Sequence, residues 1–166
     1  MINAPNFVLQ EFVSKKIFET FGESSIWFID HRIPAYAQLL KEFFTQYYRI
    51  KYGPDKVKTV LIRINNWHTG GSYEYRGFRP RDCNEGTDNG QHRFGRAIDT
   101  DIIIVFTDDS TVEADYKEVQ KTINDNKGTF MKYGLTAMED ISIASTWLHS
   151  DMRFNNNSPD ILIVKP

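Results

Sequence analysis

Ala97-Ile98-Asp99-Thr100-Asp101-Ile102-Ile103-Ile104-Val105-Phe106 is the most apolar stretch of this chain, and it opens on two aspartates. A near-continuous β-branched run of this length reads as a strand buried on both faces, central in a sheet. Upstream, Lys58 to Asn65 alternates β-branched and basic residues and predicts a second strand. Downstream, strands are expected near Ile141 to Arg153 and at Ile161 to Val164. Three helices complete the outline. Leu9, Phe12, Val13, Ile17, Phe18 and Phe21 space an amphipathic helix over residues 9 to 21, with Gly22 as its stop. Leu39, Leu40, Phe43, Phe44, Tyr47 and Tyr48 form the apolar stripe of another over Ile33 to Ile50, with Pro34 in its first turn. Ser110 and Glu113 are spaced as a capping box for a third, from about Thr111 to Asn126, with Gly128 after it. The fold class is therefore α+β, helices packed on a mostly antiparallel sheet, in a single domain over residues 1–166.

The 166 residues, 40% hydrophobic and 25% charged, suit one compact core. A net charge of -2 and a pI near 6.1 argue against a nucleic-acid binder, which needs clustered Lys and Arg to displace counterions. No run approaches the roughly 18 apolar residues of a membrane span, and Met1 to Asn6 does not read as a signal peptide, so cytoplasmic synthesis is expected. The single cysteine, Cys83, excludes a disulfide and a multi-thiolate metal site. A metal would be held by carboxylates and by some of His31, His68, His92 and His149.

Immediately before the apolar run stands Gln91-His92-Arg93-Phe94-Gly95-Arg96, so that His92 leaves a long polar loop, Trp67 to Gln91, seven residues ahead of Asp99. A loop of that length is usually functional or disordered. A carboxylate at the head of a buried strand is costly unless a cation or hydrogen bonds compensate it, and a metal shared with His92 would do so. Gly95 permits a turn between the two, and Ala97 leaves room for close approach. Near the other end, Trp147-Leu148-His149-Ser150-Asp151 places His149 and Asp151 on one face of a strand. Two imidazoles and one carboxylate form a known catalytic zinc set with a fourth position open.

At these residues the chain resembles the zinc D-Ala-D-Ala carboxypeptidase and peptidoglycan endopeptidase superfamily. Its members carry Ser-x-His-x-x-Gly-x-Ala-x-Asp and, later, a Trp-x-His-x-Asp-like strand. Here the first motif reads Gly90-Gln91-His92-Arg93-Phe94-Gly95-Arg96-Ala97-Ile98-Asp99, with Gly90 where the family has Ser and Gln91 as the intervening residue. The resemblance implies the fold of the hedgehog and D-Ala-D-Ala peptidases and Zn2+ held by His92, Asp99 and His149. It also implies cleavage of peptide bonds in peptidoglycan stem peptides. Tyr75-Arg76-Gly77-Phe78-Arg79-Pro80 looks like the family's arginine loop, with Arg79 at the oxyanion-binding position and Arg76 in reserve.

The pattern departs at Thr146, where several branches carry a general-base acid. Asp151 is then either the base or a group that orients His149, and Glu139 and Asp140 are further candidates. His68 reads as a loop residue and His31 as structural. Trp67, Tyr73, Tyr75 and Phe78 form either a platform for sugar or peptide or hydrophobic anchors. A phage-type peptidase released by lysis or carried on a virion is the expectation. A catalytically silent zinc-binding member acting as a virion-associated module is its rival.

Overall fold

The computed structural model describes residues 4–155 and 158–165. They form an α+β fold: helices α1 (Lys15–Phe21), α2 (Arg32–Tyr52), α3 (Tyr116–Asp125) and α4 (Lys127–Lys132), with strands β1 (Val57–Arg63), β2 (Ala97–Phe106), β3 (Thr111–Glu113), β4 (Ala137–Glu139), β5 (Leu148–Asp151) and β6 (Leu162–Val164). The sheet runs β1-β2-β5-β4-β6, with β3 on the flank of β2; only the β4–β6 pair is parallel. None of the described helices is long and apolar enough to cross a membrane.

β2 is the central strand, and it works in two halves. Its first four residues pair with β5, while Asp101 to Phe106 pair with β1 and, in part, β3. Ile98, Ile102 and Ile104 enter one apolar core with Ile33, Leu40 and Phe44 of α2. On the opposite face stand Ala97, Asp99 and Asp101, all buried. The strand is thus covered on both sides at its beginning, by hydrophobic side chains on one face and by ionic contacts on the other.

Three expected elements differ. Residues 9 to 21 are a 3-10 turn, a break and then α1, whose N-cap is Ser14, accepting from the Ile17 amide. The break has a cause: the carbonyls of Glu11, Phe12 and Val13 accept from Asn65, Phe78 and Trp67, so they are not free for a helix. The Ser110–Glu113 capping box does not form. Asp109 takes a left-handed conformation, the Phe106 amide donates to the Ser110 carbonyl, and β-branched Thr111 and Val112 return along β2 as a hairpin strand. Asp115 caps α3 instead, accepting from the Lys117 amide at 2.9 Å. Of the expected strand from Ile141 to Arg153 only Leu148–Asp151 is strand, because Asp140 accepts from the Ser142 amide and turns the chain. The short β4 and α4, which contains Gly128, carry too few residues to show a period in sequence.

Candidate metal centre

Asp99 and His149 are cross-strand partners, and His92 reaches them from a 3-10 turn, Gln91–Phe94, just ahead of β2. That turn ends on Gly95 at φ +64, where a side chain would collide with the Phe28 carbonyl. Gly95 is thereby required both for the reversal and for the close packing that brings His92 beside Asp99. The three residues are 5%, 8% and 5% exposed, and one ligand atom from each lies within 4.8 Å of the others. This buried trio can hold a metal ion.

The hydrogen bonds set which atoms face inward. His92 Nδ1 is 2.8 Å from the Gly77 carbonyl, which can only accept, so this nitrogen carries the proton and Nε2 turns to the centre. Gly77 is a glycine for a steric reason, since a Cβ there would meet the Phe12 carbonyl. His149 presents Nδ1 to Asp99 Oδ1 at 2.7 Å and donates from Nε2 toward Asp151 Oδ2 at 3.3 Å. His92 Nε2 stands 3.4 Å from His149 Nδ1 and 3.3 Å from Asp99 Oδ2. Ligand bonds of about 2.0–2.1 Å in a tetrahedron give edges of about 3.3 Å, which the separations of His92 Nε2 from His149 Nδ1 and from Asp99 Oδ2 match. His149 is hydrogen-bonded to the other oxygen, Asp99 Oδ1. Burial disfavours charge on His149, but Asp151 and Asp99 outweigh it and push the imidazole up to about 9. Burial likewise opposes charge on Asp99, yet the two histidines hold its carboxyl well below the usual carboxylate range. In the metal-free protein a proton on His149 Nδ1 occupies the direction that a metal would take.

Asp151 sits behind His149. It is fully buried, accepts from Arg153 Nε at 2.9 Å, and faces Ala97 and Ala137 across the neighbouring strands, small residues that leave it room. Asp151 therefore orients the imidazole; it does not reach the open side of the centre as a base would. Glu139 continues the β4 register to a position opposite His149 and contributes to the negative field on it. Asp140 is spent on its own turn, and Thr146 is exposed.

The open side is a slot of about 270 Å³ lined by Tyr73, Tyr75, Arg76, Arg79, Glu85 and Trp147, with Asp99 at its base. Arg79 donates to Asp99 Oδ2 at 2.7 Å and to the Tyr75 carbonyl, which brings the predicted arginine into the site. Arg76 pairs instead with Asp101 and stacks on Tyr73 at 3.6 Å. Of the four aromatics, Tyr73 and Tyr75 line the slot. Trp67 packs beside Phe18 and donates to the Val13 carbonyl, and Phe78 stacks on Phe28, so both are anchors. His68 lies edge-on to Trp67, and His31 is a solvent-facing residue at the start of α2. Sequence reading missed Glu85. Among the described residues its carboxylate has no hydrogen-bond or ion-pair partner, whereas Glu74, also in the slot, accepts from the Lys15 amide. Nothing in the pattern around Cys83-Asn84-Glu85-Gly86 marks it; only the folded loop brings it to the slot that Arg79 also lines.

No family model, no curated protein and no solved structure matches this chain.

Proposed function

We propose that this chain is a zinc metallopeptidase of the D-Ala-D-Ala carboxypeptidase and peptidoglycan endopeptidase type, acting on stem peptides. One observation carries the reading. Two imidazoles whose outer nitrogens are tied to fixed acceptors aim their inner nitrogens at a buried carboxylate, beside an arginine-lined slot. Two nitrogens and one oxygen, with a fourth direction toward the slot, are the donor set of catalytic zinc. Zinc bound there supplies Lewis acidity toward a carbonyl and toward water.

The protein's own groups supply the rest. Arg79 sits where a guanidinium neutralises charge growing on a scissile carbonyl, and its Nε anchor on Tyr75 holds it in place. Asp151, locked by Arg153, fixes the His149 tautomer. Glu85 is the free carboxylate in the slot and takes the proton-transfer role that a buried Asp151 does not reach. Trp147 and Tyr75 give the slot apolar walls for a peptide.

The test is metal content followed by turnover. Protein purified without added zinc should hold about one zinc per chain, lost in His92→Ala and Asp99→Ala. Purified sacculi should release new amino groups with the natural protein and none with His149→Ala. Zinc without turnover on sacculi would favour the rival reading of a silent zinc-binding module, for which exposed Thr146 and enclosed Asp151 speak. No zinc after reconstitution would overturn both.

A further inference from the structure

On the far side of Asp151 from the metal centre lies a second cavity, of about 470 Å³, with Arg32, Arg96 and Arg153 in its wall. The three residues are placed around Met152, Arg32 by its guanidinium and the other two by their backbone. Arg32 Nη2 approaches the Met152 carbonyl at 3.4 Å, the Arg96 carbonyl accepts from the Met152 amide at 2.9 Å, and Arg153 follows Met152 in the chain. Two of the guanidiniums are held in place by carboxylates: Arg32 by Asp30, through Nε at 2.9 Å and Nη2 at 2.6 Å, and Arg153 by Asp151. Their Nη1 groups make no bond within the described residues. The Arg96 guanidinium has neither a hydrogen bond nor a counter-ion among the described residues, which leaves the wall one positive charge in excess: three arginines against Asp30 and Asp151. The rest of the lining is mixed: Met131 and Met152 form an apolar patch with Phe154, which is 80% exposed, and Thr136, Asn155 and Ser158 are polar.

We propose that this cavity is a binding site for a small organic anion, a carboxylate or phosphate head group carrying an apolar body. Arg32 and Arg153, held by Asp30 and Asp151, keep their Nη1 groups for a ligand, and such donors beside the uncompensated Arg96 guanidinium suit planar or tetrahedral oxyanions. Compensation of two of the three charges limits the attraction, so binding is led by Arg96 and supplemented by packing on the methionines. The volume fits a ligand of this kind. Cavity and metal centre share the Asp151–Arg153 pair as a partition, yet the binding groups of the cavity are not metal ligands, so the site stands whether or not the chain is a peptidase.

The test is a nuclear magnetic resonance titration of the whole protein with phenyl phosphate, phenylacetate and inorganic phosphate. Shifts should concentrate on the Arg96 side chain, Thr136 and the Met131 and Met152 methyls. Phenyl compounds should bind more tightly than inorganic phosphate, and the tighter of the two names the head group. Arg96→Ala should weaken binding by about tenfold, the worth of one charge-assisted hydrogen bond, and Arg96→Lys by less. Arg96 is exposed and its side chain is bonded to nothing described, so neither variant threatens the fold. No shift in this cavity at about 10 mM, weak even for a single charged contact, or shifts confined to Arg79 and Trp147 around the metal slot, overturns the proposal. So does binding that Arg96→Ala leaves unchanged.

Discussion

Asp99 and Asp101 stand two residues apart on the same face of β2, 8% and 2% exposed, and their surroundings have opposite characters. Asp101 is closed: Arg63 Nε and Nη2 hold one oxygen at 2.8 and 2.7 Å, Arg76 holds the other, and Tyr73 covers both guanidiniums. Asp99 is open: one guanidinium, two imidazoles and the floor of a slot. Arginine cannot give up its proton, so the Asp101 cluster has one state. Imidazoles can, so the Asp99 cluster can give up the proton between Asp99 and His149, and its three ligand atoms could then hold a metal ion. A closed ion pair fixes structure, and an open one with titratable partners is fit for chemistry.

The largest expected difference between the two is in metal. Asp99→Asn should bring bound zinc from about one per chain to none, because an amide oxygen is a poor zinc ligand next to a carboxylate. Asp101→Asn should leave the zinc in place. Elemental analysis of both variants decides it, and zinc lost equally from both would mean that Asp101 belongs to the metal centre. Stability should reverse the order. Asp101→Ala strands two guanidiniums, of which Arg76 is mostly buried, and should cost about 3 kcal/mol, seen as a lowered urea midpoint of the metal-free protein.

Much of this pair was legible in sequence, and the reasons are physical. An aspartate at the head of an apolar run must be compensated, whatever the fold, and His92, Gly95 and Ala97 stood close enough in the chain to show how. Asp101 offered the same signal, but its partners Arg63 and Arg76 lie far away in sequence, so only the β1–β2 register reveals them. Trp147-x-His149-x-Asp151 was legible because strand alternation places both side chains on one face. Which side of the imidazole Asp151 occupies was not, because alternation fixes the face and not the depth. Glu85 was invisible for a related reason: a loop carries no period. The Thr111–Asn126 helix is present as Tyr116–Asp125, but its expected start failed where two local signals competed, and pairing with β2 decided for the strand at Thr111–Glu113.

Asp151→Asn sharpens the comparison from behind. The metal ligands remain, but the carboxylate that receives His149 Nε2–H is lost, and zinc affinity should fall about 10- to 100-fold in a competition titration with a chelator. An unchanged affinity would mean that the imidazole is held by packing alone.

The pH dependence should separate the two aspartates next. In the metal-free protein His149 is raised to about 9 from an ordinary 6.5, so its proton is a stabilising ligand of the folded state. That contribution is whole below pH 6.5 and disappears as the pH rises through 9. Urea midpoints of the metal-free protein should therefore fall across this window. His149→Gln should flatten the fall, and Asp101→Asn should not, since no imidazole faces Asp101. A fall that persists in His149→Gln would place the titrating group elsewhere.

The smallest effect lies within the closed cluster itself. Arg63 and Arg76 hold the same carboxylate, yet the Arg63 side chain is 40% exposed and that of Arg76 17%. Water screens the first pair more, so Arg63→Ala should cost about 1 kcal/mol or less. Arg76→Ala should cost more, because Asp101 then keeps only the more hydrated of its two partners. The Arg76 backbone adds a control. Its carbonyl accepts from the Asp99 amide at 2.8 Å and its amide donates to Asn65, and alanine preserves both. The loop should stay docked and zinc stay bound in Arg76→Ala. Loss of zinc there would show that the guanidinium, and not the backbone, ties the closed aspartate to the open one.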